Sequence, residues 1–401
     1  MHKACQQGNC ANIITIVDIC SCRRLNCVNI LTIVEIYKKL LIMTKELIKT
    51  EYEKNKEEIP ELRRFFDYIH DNIIEDKLYV QLCTSVNAYW HFHDKKKGIK
   101  FSRNNRLNRK RKNRNSKRNC YYFLNACYCM LIEMLSMPYT KYYNISSALN
   151  LCCAPGGFAK ALLKKFPAVQ VLGVTLSSDS LGSLECIFHH EQFNVIYYDI
   201  TVLARKNWKN IFKILRIPFL KNKSRQSAFQ YDPIYDCAIC DGAFATDKLE
   251  NIENQFRKEI MTNMNLRFSE LLLALLTLKQ TGMLIYRGST KLYDLTTLYI
   301  WCILDKHFHS VTFLKPKVTS SDMWKHSYVY IICKNYKLDA SRAFDLAVCI
   351  RNLLLNLDKN SFLLFEKNFS SQRLTASFFP CMKAFWIEHQ KLFDKKFNEL
   401  Q

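Results

Sequence analysis

The sequence predicts an α/β protein: a mostly parallel sheet covered by helices on both faces, with helical extensions before and after it. Three observations predict this. Apolar runs of strand length alternate with helical stretches from 120 to about 336. A Pro-Gly-Gly turn joins the first of these strands directly to a helix. Polar or acidic residues close several of the strands, which puts them at one edge of the sheet.

The elements follow in order. Residues 1–42 read as an extension, and Met43 opens a more charged helical stretch, so it is an alternative start. Residues 43–94 read as short helices broken at Pro60. Residues 95–119 are almost all Lys, Arg and Asn and bury too little to fold alone. The domain proper spans 120–336. Its strands are read at 147–153, 169–176, 193–200, 234–241 and 283–287, and in "SVTFLK" and "SYVYIIC". Helices are read at 157–166, 263–280 and 292–306, with Gly282 closing the second as a C-cap. A polar, basic insertion falls near 220–230. Residues 337–401 read as a helical segment docking back on the sheet.

Composition narrows the function. Lys plus Arg is 59 against 36 acidic residues, a net charge of +23. That charge favours a polyanionic partner, nucleic acid before an anionic membrane surface. The run 95–119 carries thirteen positive charges and no negative ones. It reads as a solvated linker, an RNA-binding strip or a nuclear import signal, and these are compatible. The 18 cysteines sit largely in apolar runs, where Cys packs as a small hydrophobe. With no clear signal peptide, a reducing compartment is expected, nucleus or cytoplasm rather than outside the cell. Cys5, Cys10, Cys20, Cys22 and Cys27 lack the paired spacing of a zinc site, and no metal is expected. No apolar run approaches the ~20 residues of a spanning helix.

The candidate site begins at "LNLCCAPGGFAK" (149–160). Ligands of open α/β sheets bind beyond the carboxyl ends of the strands. Pro155 stiffens the turn. Gly156 and Gly157 lack a Cβ, which lets a ligand approach the backbone, although a tight packing turn uses glycines equally. The following helix N-terminus offers N–H groups to an anion. The second strand ends "GVTLSSD", the third "YYDIT" and the fourth "ICDGAF". Thr175, Asp199 and Asp241 therefore share an edge with Cys153, Ala154, Pro155, Gly156, Gly157 and Phe158. Asp199 suits an adenine amine, and Asp241 lies where a reacting group would sit. A single acid at a strand end is more often a helix cap.

At these residues the sequence resembles the FtsJ-like family of S-adenosylmethionine-dependent RNA methyltransferases, and its fungal branch in particular. The resemblance runs over about 147–336, through the glycine loop, the next two strand ends, "YDCAICDGAF" and the closing "KPKVTSSDMWKHSYVYIICKNY". It implies a doubly wound, Rossmann-like seven-stranded sheet, S-adenosylmethionine as cofactor, and 2′-O-methylation of RNA ribose. It also implies a Lys-Asp-Lys-Glu catalytic set, which this chain keeps in part. Asp241 matches the Asp. Arg287 takes the second Lys position and keeps its proton at ordinary pH. Lys291 lies four residues on and enters that role only if its loop shifts. Tyr328 falls where the family has Glu. The upstream Lys position reads "CMLIEML", without a lysine.

Three readings stay open: an active RNA methyltransferase, an inactive methyltransferase-like module that holds RNA or a protein, and a methyltransferase of another substrate. No GxxxxGK[ST] or GxGxxG loop is present, which speaks against nucleotide hydrolysis and nicotinamide chemistry.

Overall fold

The computed structural model describes residues 117–137, 144–177, 184–216, 233–242, 255–289, 295–316, 328–355 and 387. The extension 1–42, the helical segment 43–94, most of the basic run, the basic insertion, Lys291 and most of 356–401 lie outside them. The chain divides into two units, one of Met1–Phe101 with Met382–Gln401 and one of Ser102–Cys381. The second holds every element described below.

It begins with helix α1 (Lys117–Ser136), so the last three residues of the basic run are already helical. Strand β1 (Ser147–Leu151) leads through the glycine turn into α2 (Gly157–Lys165). Then come β2 (Gln170–Thr175), β3 (Phe193–Tyr197), α3 (Ile200–Leu203), α4 (Trp208–Leu215) and β4 (Tyr235–Cys240). The chain continues with α5 (Gln255–Thr277), β5 (Leu278–Ser289), α6 (Leu295–His307), β6 (Phe308–Leu314), β7 (Tyr328–Tyr336) and α7 (Ala340–Leu355).

The seven strands form one sheet in the order β3-β2-β1-β4-β5-β7-β6. The first five are parallel, and β7 runs antiparallel to both its neighbours. The fold class read from the sequence therefore holds. The order reverses between β1 and β4, so the crevice outside their carboxyl ends is where a ligand is expected.

Side chains alternate across the strands and sort the helices by face. Ala148, Val171, Cys237, Ile239, Met283 and Ile285 pack with α1 and α2 in one buried cluster. The alternate residues meet α5: the Cys240 thiol donates to the Glu270 carbonyl (3.8 Å), and the Tyr286 hydroxyl to that of Arg267 (2.9 Å). Helix α7 packs on α5, and its Phe344 and Arg351 cover Trp208 of α4, with ring centroids 5.1 Å apart and the guanidinium 4.5 Å from the indole.

Several boundaries differ from the sequence reading, among them the start of α5 at Gln255 rather than 263 and the α5–β5 junction. Helix α5 ends at Thr277 rather than 280, and β5 starts at once, so Gly282 lies inside the strand and caps nothing. Leu271 to Leu278 are all fully buried. A segment buried all round has no polar punctuation to mark where helix becomes strand. At the far end of the sheet, Asp236 Oδ2 accepts from the backbone and hydroxyl groups of Ser146 and Ser147, at 2.6 to 2.9 Å. Its Oδ1 pairs with Lys279 Nζ at 2.7 Å. This clamp ties β1 to β4 and fixes the register that carries the site.

Candidate active site

The glycine turn is built for packing. Gly156 takes φ +102°, a left-handed conformation that disfavours side chains. A Cβ on it would meet Phe188 Cβ at 2.6 Å. A Cβ on Gly157 would meet the Leu124 carbonyl at 2.3 Å and Cys127 Cβ at 2.6 Å, both on α1. The expectation that these missing Cβ atoms open space for a ligand is corrected: α1 and the segment around Phe188 fill it. What remains for a ligand is the N-terminus of α2, which no side chain caps.

The other loop residues divide. Pro155 and Cys153 are buried, and Ala154 is partly exposed. Cys153 donates its N–H to Val174 O (3.2 Å), and its thiol is hydrogen-bonded to the Cys186 thiol. Phe158 is a core residue, 3% exposed, packed edge-to-face on Tyr330 with centroids 6.0 Å apart. Its side chain therefore supports the turn from beneath. Thr175 is buried at the end of β2, where its carbonyl accepts from Tyr198 N (2.8 Å). Asp199 is the N-cap of α3: Oδ1 accepts from Thr201 N (2.8 Å) and Thr201 Oγ1 (2.7 Å). Among the described residues no hydrogen bond reaches its Oδ2.

Asp241 follows β4 at the reversal point. Two donors converge on its Oδ1: the Tyr330 hydroxyl at 2.7 Å and Arg287 Nη1 at 3.4 Å. The antiparallel register makes this possible by setting Tyr330 opposite Arg287. Burial pushes the Asp241 carboxyl above its ordinary value, and Arg287 and Tyr330 oppose that. Burial also works against the Arg287 charge, but Asp241 and the neighbouring tyrosines outweigh it and hold the guanidinium protonated.

Tyr328 occupies the other half of the site. Its hydroxyl donates to Met130 Sδ at 3.3 Å, and Met130 belongs to the "CMLIEML" stretch of α1. Where the resemblance implies a Lys–Glu pair, the structure holds a Met–Tyr contact. Both charges are gone together, so neither leaves a buried ion behind. The Tyr328 ring is flanked by cations, with Arg287 4.6 Å and Lys315 Nζ 4.0 Å from its centroid. Lys315 donates to the Tyr328 carbonyl (2.5 Å). Burial first, then Arg287, drive its ammonium well below the ordinary lysine value.

Sequence reasoning missed a second layer on α5. Glu270 is 1% exposed, and its Oε1 accepts from Gly242 N at 2.7 Å. Burial first, and then the same carboxyl, raise the Cys152 thiol well above its ordinary value. Glu270 therefore lies between the loop after β1 and the loop after β4. A Cβ on Gly242 would strike its carboxyl at 2.7 Å. Cys152 bears φ +56°, in the left-handed region that non-glycine residues disfavour. Burial raises Glu270 to about 8, against Gly242 and Arg267, which lower it. Arg267 is also buried and binds the Arg287 carbonyl (3.0 Å) and Thr297 Oγ1 (3.2 Å), which fixes the end of β5. The signal was present: one Glu and one Arg inside the apolar run "LRFSELLLALL".

Among the described residues no group of three metal-ligating side chains comes together. Their cysteines are free thiols.

This sheet, with an acid and a glycine turn at its reversal point, defines a Rossmann-like α/β methyltransferase architecture. The chain belongs to the FtsJ-like methyltransferase family, whose sequence model matches residues 131–336, just over half of it. Three solved structures are similar to this chain. One is a Plasmodium falciparum protein assigned as a ribosomal RNA methyltransferase, with 18% identity and TM-score 0.37, covering 53% of this chain and 96% of its own. The second is the N-methyltransferase NodS of Bradyrhizobium japonicum, bound to S-adenosyl-L-homocysteine. It shows 13% identity and TM-score 0.31, over 58% of this chain and 97% of its own. The third is human N-acetylserotonin methyltransferase in complex with S-adenosylmethionine. It shows 12% identity and TM-score 0.30, over 68% of this chain and 70% of its own. No curated protein sequence matches significantly.

Proposed function

We propose that this chain is an S-adenosylmethionine-dependent methyltransferase that modifies a ribose 2′-hydroxyl of RNA, with an RNA of the ribosomal kind as substrate. One observation carries the reading: Asp241 is held by Arg287 and Tyr330 at the sheet's reversal point, one strand from an uncapped helix N-terminus.

The donor set fits the cofactor. S-adenosylmethionine supplies a methyl group on a positively charged sulfur. Asp199 keeps Oδ2 for the amine or hydroxyl groups of the nucleoside. The backbone from Cys153 to Phe158 and the α2 N-terminus suit the carboxylate, with Thr175 alongside. Asp241, at the same edge of the sheet, would lie on the side of the reacting groups. The net charge of +23 and the run 95–119 supply phosphate attraction that weakens with salt. Among the described residues no helix is long and apolar enough to cross a membrane. An intracellular RNA, nuclear or cytoplasmic, is the substrate pool this reading requires. Placement in the fungal branch rests on the sequence motifs.

Purified protein incubated with methyl-labelled cofactor and total RNA tests the reading. The expected label resists alkaline hydrolysis, because a 2′-O-methyl group blocks cleavage at the neighbouring phosphodiester, and Asp241→Ala abolishes it. Label confined to bases or to protein contradicts the ribose assignment. The Met130–Tyr328 contact favours a second reading, an inactive module that kept the fold to hold RNA or a partner. Cofactor binding without transfer to any RNA supports that alternative.

A further inference from the structure

The resemblance implies a lysine as proton acceptor, and the described site offers none beside Asp241. Arg287 stands in that position and does not give up its proton. The upstream stretch, which holds no lysine, places Met130 against Tyr328, the residue at the family's Glu position. Lys315 reaches the Tyr328 carbonyl on β7, not the Asp241 carboxyl. The remaining basic group is the aspartate, and its two oxygens differ. Oδ1 takes both the Tyr330 hydroxyl and Arg287 Nη1. Among the described residues no hydrogen bond reaches Oδ2, and the side chain stays 14% exposed.

We propose that Asp241 itself accepts the nucleophile's proton through Oδ2, while Arg287 and Tyr330 are positioning residues that fix Oδ1. This deepens the function proposed above and rests on it. The balance is simple. The proton leaves the ribose oxygen for Oδ2, and the electron pair of that O–H bond forms the bond to the methyl carbon. The pair of the old carbon–sulfur bond stays on sulfur. The proton later passes from Oδ2 to solvent.

The consequence is a pH profile unlike that of an amine base. A carboxylate that must be ionised gives one acid limb and a plateau above it. A lysine that must be neutral gives a rate still rising on the alkaline side.

The test has two parts. In the cofactor-free protein, difference infrared spectroscopy of wild type against Asp241→Asn isolates the Asp241 carboxyl band. One titration is expected, displaced above the ordinary aspartate range. A band still protonated at neutral pH leaves no acceptor and overturns the assignment. In single-turnover transfer, kcat/KM is expected to follow the same titration, and Asp241→Asn to lose about 10²–10⁴-fold. Calorimetry should show the variant still binding the cofactor. Transfer that survives Asp241→Asn but disappears in Lys291→Ala assigns the proton to Lys291 and overturns Asp241. A wild type that neither binds cofactor nor transfers methyl overturns the parent reading and this one with it. A wild type that transfers while Asp241→Asn keeps its rate overturns this one alone.

Discussion

Replacing Glu270 by Gln should stabilise the protein at alkaline pH and leave it nearly unchanged in mild acid. Glu270 is a fully buried carboxyl raised from 4.5 to about 8. Between those values the folded state holds a proton that the unfolded chain has lost, so stability falls as pH rises through the window. Each unit is worth about 1.4 kcal/mol, so the full window is worth on the order of 5 kcal/mol. Glutamine keeps an oxygen for the Gly242 N–H, at present 2.7 Å from Oε1, and carries no charge to desolvate. Guanidinium unfolding of both proteins at pH 5 and pH 8.5 measures the difference. Wild type should lose stability between the two, and Glu270→Gln should lose little. Equal pH slopes would show that Glu270 is not the buried acid described, and would remove the reason for its high value. A natural chain that tolerates this cost uses the carboxyl for geometry, since it holds the Gly242 N–H of the loop after β4.

Other substitutions follow from the same contacts. Asp236→Ala removes the acceptor for four serine donors and Lys279, and should cost about 2–4 kcal/mol in urea unfolding, with the half-exposed Lys279 pair adding little. Burial opposes ionisation of Asp236, but Lys279 and the serines outweigh it and hold the carboxyl below its ordinary value. That stability is therefore present above pH 4 or so, and is lost as pH falls through the folded-state value; a pH titration of unfolding checks it. Gly157→Ala drives a methyl into the Leu124 carbonyl and should destabilise by about 1–3 kcal/mol in thermal unfolding. Arg287→Lys puts an amine in the family's position, and should raise the rate and add an alkaline limb to the pH profile of transfer; an unchanged profile would count against that alignment.

Much of this was legible because parallel strands buried on both faces leave unbroken apolar runs between polar ends. The acids at those ends marked the edge of the sheet, and Asp241 lies there in contact with Arg287 and Tyr330. Asp199 shows the commoner role of an acid at a strand end, a helix cap, through Oδ1. The glycines were found, but their partner was not, because the carbonyl of Leu124 comes from a helix more than thirty residues earlier. Tyr330 looks like any strand aromatic until the antiparallel register sets it against Arg287. Tyr328 and the "CMLIEML" stretch stood out one by one in the sequence, but their pairing lies in a contact between α1 and β7. Gly282 misled because an apolar helix runs into an apolar strand without a turn residue between them.

The central claim is that the crevice between β1 and β4 binds S-adenosylmethionine. Calorimetric titration of the full chain with that compound tests it most directly. Asp199→Asn is the control, because it retains an oxygen for Thr201 and removes the charge. Gly156→Val is a poor control, because its Cβ would meet Phe188 whatever the ligand does. The account predicts saturable one-to-one binding, weakened about tenfold in Asp199→Asn by loss of a charge-assisted hydrogen bond. A folded wild-type protein that releases no binding heat and shows no thermal stabilisation by the cofactor would contradict it.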